Sequence, residues 1–214
     1  KIILYFFNRV YLKLKMDNNT DDEIKVILIG ESGTGKTSLI NATIGLPFKE
    51  SLESTTTNSF SSKKVSLGSK EYILNLWDTI GQEKFRSLTK IFIKDSKIVL
   101  LVYDITRIDT FKELDFWHKM IRDILGDDPI LGICGNKQDL FAREQVKEEV
   151  AKKYAEEKNI PFKLTSAKNP LSFNKFLEEL VGKYVEKNGG GKVVQEKGKI
   201  NLTGDKKTEK KKCC

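Results

Sequence analysis

Residues 30–37 read Gly-Glu-Ser-Gly-Thr-Gly-Lys-Thr, and no other stretch restricts the fold as tightly. They match G-x-x-x-x-G-K-[ST], a loop whose glycines let backbone N–H groups curve around phosphate oxygens with no side chain in the way. The apolar run Ile24–Ile29 leads in and reads as a buried strand; Lys36–Gly45 leads out and fits a helix. A helix N-terminus adds unpaired N–H groups and a positive dipole end. Gly30, Glu31, Ser32, Gly33, Thr34, Gly35 and Ser38 are therefore expected around a polyphosphate. Lys36 is expected to reach its β- and γ-phosphates, and the Thr37 hydroxyl to bind Mg²⁺. The motif alone does not separate ATPases, nucleoside kinases and GTPases.

The rest of the chain alternates strand and helix. Thr55–Ser66 and Glu71–Trp77 flank a turn containing Gly68 and read as a hairpin. Ile98–Tyr103, Ile130–Cys134 and Phe162–Thr165 read as further strands, with helical patterns around 84–94, 110–125, 143–158 and 172–187. This order predicts an α/β fold: a mostly parallel sheet of about six strands with helices on both faces. After Lys187 the periodicity stops. Residues 24–187 are expected to form one domain, with 1–23 an N-terminal extension and 188–214 a disordered basic tail.

Two more motifs sit at strand ends, where open α/β sheets bind ligands. Asn136-Lys137-Gln138-Asp139 follows the strand Ile130–Cys134. A carboxylate at Asp139 can accept from guanine N1 and N2 together, and adenine offers no such pair. Asn136 and Lys137 can brace the loop. The segment Ser166-Ala167-Lys168 can present a backbone N–H to guanine O6. Trp77-Asp78-Thr79-Ile80-Gly81-Gln82-Glu83 follows another strand. There Asp78 can hold Mg²⁺ through a water, Gly81 can offer its N–H to the γ-phosphate, and Gln82 can orient the attacking water.

Charge distribution narrows the partners. The net charge is +8, but residues 1–15 carry +4 and residues 189–214 carry +5, which leaves the body at −1. A nearly neutral body argues against nucleic acid, whose binding needs a basic patch on the folded part. A basic tail suits an anionic membrane surface. The apolar run at 1–15 is too short to span a bilayer and lacks a cleavage site, so it reads as an extension outside the fold, with a short membrane-surface helix as the alternative. Cys134 lies in an apolar run and reads as a core residue; Cys213 and Cys214 stand last in the sequence. Three such cysteines form no disulfide framework, which suits a reducing cytosol. The single histidine, His118, lies in a helical pattern and is expected to have no catalytic role.

GESGTGKT, WDTIGQEKFRS, LLVYDIT, GNKQD and TSAK occur in that order, and with them the chain resembles the Ras superfamily of small GTPases, most closely the Rab family. The resemblance implies a P-loop NTPase fold of the small G domain type and a GTP/GDP switch in vesicle and membrane traffic. It implies binding of guanine nucleotide with Mg²⁺ and slow GTP hydrolysis by a monomer. Phe48 falls where the family packs an aromatic on the guanine, and Thr55 where it completes Mg²⁺ coordination and senses the γ-phosphate. Phe60, Trp77 and Phe92 align with the aromatics that Rab effectors read. Cys213 and Cys214 align with a pair that carries geranylgeranyl groups. The implied partners are effectors, an exchange factor, an activating protein and a lipid-shielding carrier. The implied location is the cytosol and the cytoplasmic face of internal membranes. No arginine is obviously placed to act in cis on the γ-phosphate, so a partner is expected to supply one.

Three departures stand out. Ile80 replaces a usual alanine, Thr57 a usual glycine, and Phe92–Ser96 diverges from the family's Tyr-Tyr-Arg-Gly-Ala. Ile80 keeps open a rival in which the chain stays loaded with GTP and serves as a binding protein; another branch of the superfamily is a second alternative.

Overall fold

The computed structural model describes residues 22–50, 55, 59–79 and 86–189. Among the described residues six strands and six α-helices follow in order: β1 (Glu23–Ile29), α1 (Lys36–Thr43), β2 (Ser59–Leu67), β3 (Lys70–Asp78), α2 (Arg86–Ile93), β4 (Ile98–Asp104), α3 (Ile108–Lys112), α4 (Leu114–Leu125), β5 (Ile130–Asn136), α5 (Glu148–Glu157), β6 (Phe162–Leu164) and α6 (Leu171–Lys187). They form one sheet in the order β2-β3-β1-β4-β5-β6. Among the described residues only the β2–β3 pairing is antiparallel. This is the expected α/β architecture.

The apolar runs that read as strands are runs because both faces of the sheet are covered. Along β1, Ile24, Val26 and Leu28 join Leu39 of α1 and Phe173, Phe176 and Leu180 of α6 in one core cluster. Ile27 and Ile29 point the other way, toward Leu114, Trp117 and Ile121 of α4 and Ala151 and Ala155 of α5. All seven residues of β4 are buried. By contrast β2 is an edge strand with most side chains exposed or half-buried, and Lys63 and Lys64 lie in it. Charges of that kind discourage edge-to-edge pairing with another chain. Cys134 is fully buried, as expected.

Boundaries shifted in several places, and the helix expected around 143–158 starts only at Glu148. The hairpin's first strand starts at Ser59, not Thr55. The single helix expected over 110–125 is two, because Glu113 (φ −72°, ψ −7°) breaks the turn between α3 and α4. A 3₁₀ segment, Gln138–Arg143, follows β5 unannounced. The placement of the sheet decides where a site can lie. β1 pairs β3 on one side and β4 on the other, both parallel, so the chain leaves its end in opposite directions. A crevice opens there, at the C-terminal ends of the strands.

Candidate functional site

The loop after β1 needs its glycines for steric reasons. Gly30 has φ +152°, and a Cβ built on it would lie 2.0 Å from the Val102 carbonyl oxygen of β4. Gly35 has φ +91°, and its Cβ would lie 2.3 Å from Asn136 Nδ2. Any other residue would force strand or side chain apart. Gly35 also caps α1 without a side-chain hydrogen bond, and no acidic residue occupies the first turn. The helix N-terminus therefore keeps its N–H groups for an anion.

Lys36 turns back under this loop. Its Nζ donates to the Gly30 carbonyl at 2.8 Å and to the Glu31 carbonyl at 2.9 Å. Burial pushes its ammonium down to about 8, against the pull of Asp78 and Glu31. A cation held in a dry cradle of carbonyls suits a polyanion.

Beside it, three oxygen-bearing side chains from separate elements converge. Thr37 Oγ1 donates to Asp78 Oδ2 at 2.7 Å and lies 2.8 Å from Thr55 Oγ1. Thr55 Oγ1 is 3.5 Å from the same carboxylate oxygen. Asp78 is 3% exposed, and among the described residues its Oδ1 has no hydrogen-bond partner. Burial raises the pKa of that carboxyl, while the Thr37 hydroxyl and the Lys36 charge oppose the rise. An orphaned buried carboxylate oxygen beside two hydroxyls is a donor set for a hard cation such as Mg²⁺. Among the described residues no three His, Cys, Asp or Glu side chains gather to hold a metal by themselves.

The loop after β5 is tied to the phosphate loop. Asn136 Nδ2 donates to the Thr34 carbonyl at 2.8 Å, and Lys137 Nζ lies 2.6 Å from Asp104 Oδ2 at the end of β4. Asp139 is held by Ser166, whose hydroxyl donates to Oδ1 at 2.6 Å, and by Lys168, whose Nζ is 3.6 Å from Oδ2. Lys168 Nζ also sits 5.3 Å from the centre of the Phe48 ring. Between the two loops lies a cleft of about 400 Å³. Ser32, Gly33, Gly35, Lys36, Thr37, Ser38, Phe48, Thr55, Asn136, Lys137, Asp139, Ala167 and Lys168 line it. Of the other expected residues, Gly30, Glu31, Thr34, Asp78 and Ser166 are not among its lining residues. Gly81 and Gln82, with Ile80 and Thr57, lie outside the described residues, as do Cys213 and Cys214.

Several participants were given no role in the sequence reading. Lys49, Glu50, Thr79 and Leu140 also line the cleft. Asp104, buried at the end of β4, braces the base-side loop; its place in LLVYDIT was the available signal. Trp117 Nε1 donates to Glu31 Oε1 at 3.2 Å, so the second residue of the phosphate loop is anchored to α4. Away from the cleft, Trp77 stacks on Phe60 at 5.4 Å and tilts against Phe92 at 6.0 Å, with Lys25 Nζ 4.8 Å from its ring.

A glycine-rich phosphate loop at the switch point of a mostly parallel sheet, with an Asn-Lys-x-Asp loop across the cleft, defines a P-loop nucleotide-binding domain. A sequence model of the Ras family matches residues 25–186. Ras-related protein Rab-2B of Dictyostelium discoideum is 36% identical over 169 residues, which cover 78% of this chain and 84% of that one. Human Ras-related protein Rab-21 is 41% identical over 156 residues, 73% of this chain and 68% of its own. Its namesake in Geodia cydonium is 37% identical over 164 residues, 77% and 72% respectively. The chain belongs to the Ras family and is a Rab-like small GTPase.

Proposed function

We propose that this GTPase is a GTP/GDP switch in membrane traffic, holding guanine nucleotide and Mg²⁺ in the cleft between the phosphate loop and the Asn136–Asp139 loop. The observation that carries this reading is the convergence of Lys36, Thr37, Thr55 and Asp139 on that one cleft, with Asp78 hydrogen-bonded to Thr37 beside it. The backbone of 30–36 and the Lys36 ammonium hold the phosphates. Phe48 and the Lys137 stem cover the base, whose edge Asp139 recognises, and the backbone of Ser166–Lys168 meets its carbonyl. Thr37, Thr55 and Asp78 place the Mg²⁺. When bound, that ion neutralises charge on the phosphate oxygens. Gln82 orients the attacking water and Gly81 contacts the γ-phosphate. Thr55 and Gly81 thereby tie two loops to the GTP state and release them in the GDP state.

The test is a nucleotide assay on the purified chain. GTP should displace fluorescent GDP and ATP should not, and chelating Mg²⁺ should speed release. Intrinsic single-turnover hydrolysis should run at roughly 10⁻⁴ to 10⁻² per second. Gln82→Leu keeps the side-chain volume but cannot orient water, so GTP should accumulate. Equal displacement by ATP sinks the guanine assignment, and an unchanged rate in Gln82→Leu sinks that residue's role.

The membrane part of the reading rests on the Rab relatives and on the tail. Among the described residues no helix is long and apolar enough to cross a membrane. We infer that Cys213 and Cys214 carry geranylgeranyl groups. One lipid chain gives marginal binding, while two chains plus a lysine run give a firm anchor. A carrier would shield those lipids in the cytosol. Effectors would read Phe60, Trp77 and Phe92 on the GTP-loaded form. A tagged chain with both cysteines changed to Ser should leave the membrane fraction with GTP affinity unchanged. One with Phe60→Ala should stay there but capture fewer GTP-dependent partners. Unchanged membrane recovery in the first, or unchanged capture in the second, contradicts the corresponding part.

A further inference from the structure

The turn after β4 is locked by its own side chains. Asp104 Oδ1 accepts from the Thr106 N–H at 2.9 Å and from the Thr106 hydroxyl at 2.7 Å. Thr110 Oγ1 accepts from the Asp104 N–H at 3.0 Å and donates to the Arg107 carbonyl at 2.7 Å. So constrained, the turn aims Arg107 at the phosphate loop. Arg107 Nη1 donates to the Ser32 carbonyl at 3.0 Å, across 75 residues of chain. Arg107 Nη2 pairs with Asp109 Oδ2 at 2.7 Å. The guanidinium is a rigid fork, so Asp109 on one nitrogen sets the direction of the other. The same Nη1 would lie 3.3 Å from a Cβ on Gly33. Arg107 is not among the residues lining the cleft, so it grips the loop from the outer side.

We propose that Arg107 is a positioning residue that clamps the outer rim of the phosphate loop and slows release of nucleoside diphosphate. The peptide plane supplies the mechanism. In a trans peptide the Ser32 C=O and the Gly33 N–H point in opposite directions. A carbonyl held outward by Arg107 holds the next N–H inward, toward the concave side where phosphate oxygens are taken. Asn136 does the same one peptide pair further on, through the Thr34 carbonyl. The loop is thus braced at two alternate peptides, one by a buried amide and one by a half-exposed cation with its own counter-ion. The inference rests on the reading that this cleft holds GDP.

The experiment measures fluorescent GDP release from the full chain, and competition by unlabelled GDP and GMP. Arg107→Ala should release GDP about fivefold faster, the loss of one hydrogen bond of ordinary worth. Arg107→Lys keeps a charge without the fork, and Asp109→Ala frees the fork; both should lie between parent and Arg107→Ala. The proposal has the inward Gly33 N–H take an oxygen of the β-phosphate, which GMP lacks, so the preference for GDP over GMP should narrow in Arg107→Ala. Unchanged GDP release overturns the proposal, and so does an equal loss for GDP and GMP, which would mean general loosening. A parent chain that does not bind GDP at all overturns the nucleotide reading as well.

Discussion

Replacing Asp139 by Asn should lower GTP affinity about 10- to 100-fold, the worth of one charge-assisted hydrogen-bond pair, and turn the protein toward xanthosine triphosphate. Asp139 is held in place by the Ser166 hydroxyl on one oxygen and by Lys168 near the other. A fixed carboxylate accepts twice, which matches the N1–H and N2–H of guanine. Toward the base edge an amide presents one acceptor and one donor. Xanthine carries a carbonyl where guanine carries its amino group, so the amide donor finds an acceptor. The amide oxygen can still take the Ser166 hydroxyl, which keeps the loop in place. Competition of both triphosphates against fluorescent GDP reads the outcome. Unchanged GTP affinity with no gain for the xanthine nucleotide would remove Asp139 from the base site.

Lys36→Ala should weaken GDP and GTP about 100-fold or more, since more than one charged hydrogen bond is lost together. The Lys36 ammonium is buried, and among the described residues it donates to the carbonyls of Gly30 and Glu31. Its lowered pKa, about 8, records an incompletely compensated desolvation. Phosphate oxygens supply the missing compensation, so the site binds a polyanion with a cation that is already desolvated. Lys36→Met keeps most of the stem and removes the charge. It should bind as poorly as Lys36→Ala, which separates charge from packing. Isothermal titration with GDP measures both variants, and a Met variant that bound like the parent would show that the lysine charge does not hold the phosphates.

Much of this site was legible before any coordinates, and the reason is local. Backbone conformation and element type are short-range properties. Gly30 and Gly35 sit where a Cβ would strike Val102 or Asn136, and the motif marks both positions. The runs in β1, β4 and β5 are apolar throughout because helices cover both faces, so they read as strands without alternation. Errors gathered where local signals were weak. No glycine or proline marks the break at Glu113, and the 3₁₀ segment after Lys137 follows a non-glycine residue at φ +67° that no pattern announced.

The sequence by itself determined the class of loop, the succession of strands and helices, and the residue types on offer at each strand end. The tertiary structure alone decided which of them meet. Thr37 reaches Thr55 across 18 positions and Asp78 across 41, and Asn136 reaches Thr34 across 102. Those meetings follow from the sheet order β2-β3-β1-β4-β5-β6, which sets β1 between β3 and β4. Arg107 shows the difference most clearly. Along the chain it is one more arginine in a turn with no motif of its own, and its partner Ser32 lies 75 residues away. Periodicity and turn chemistry act over a few residues, whereas the place of a side chain against a distant loop is set by strand pairing and packing. That placement put a cation on the rim of the phosphate loop.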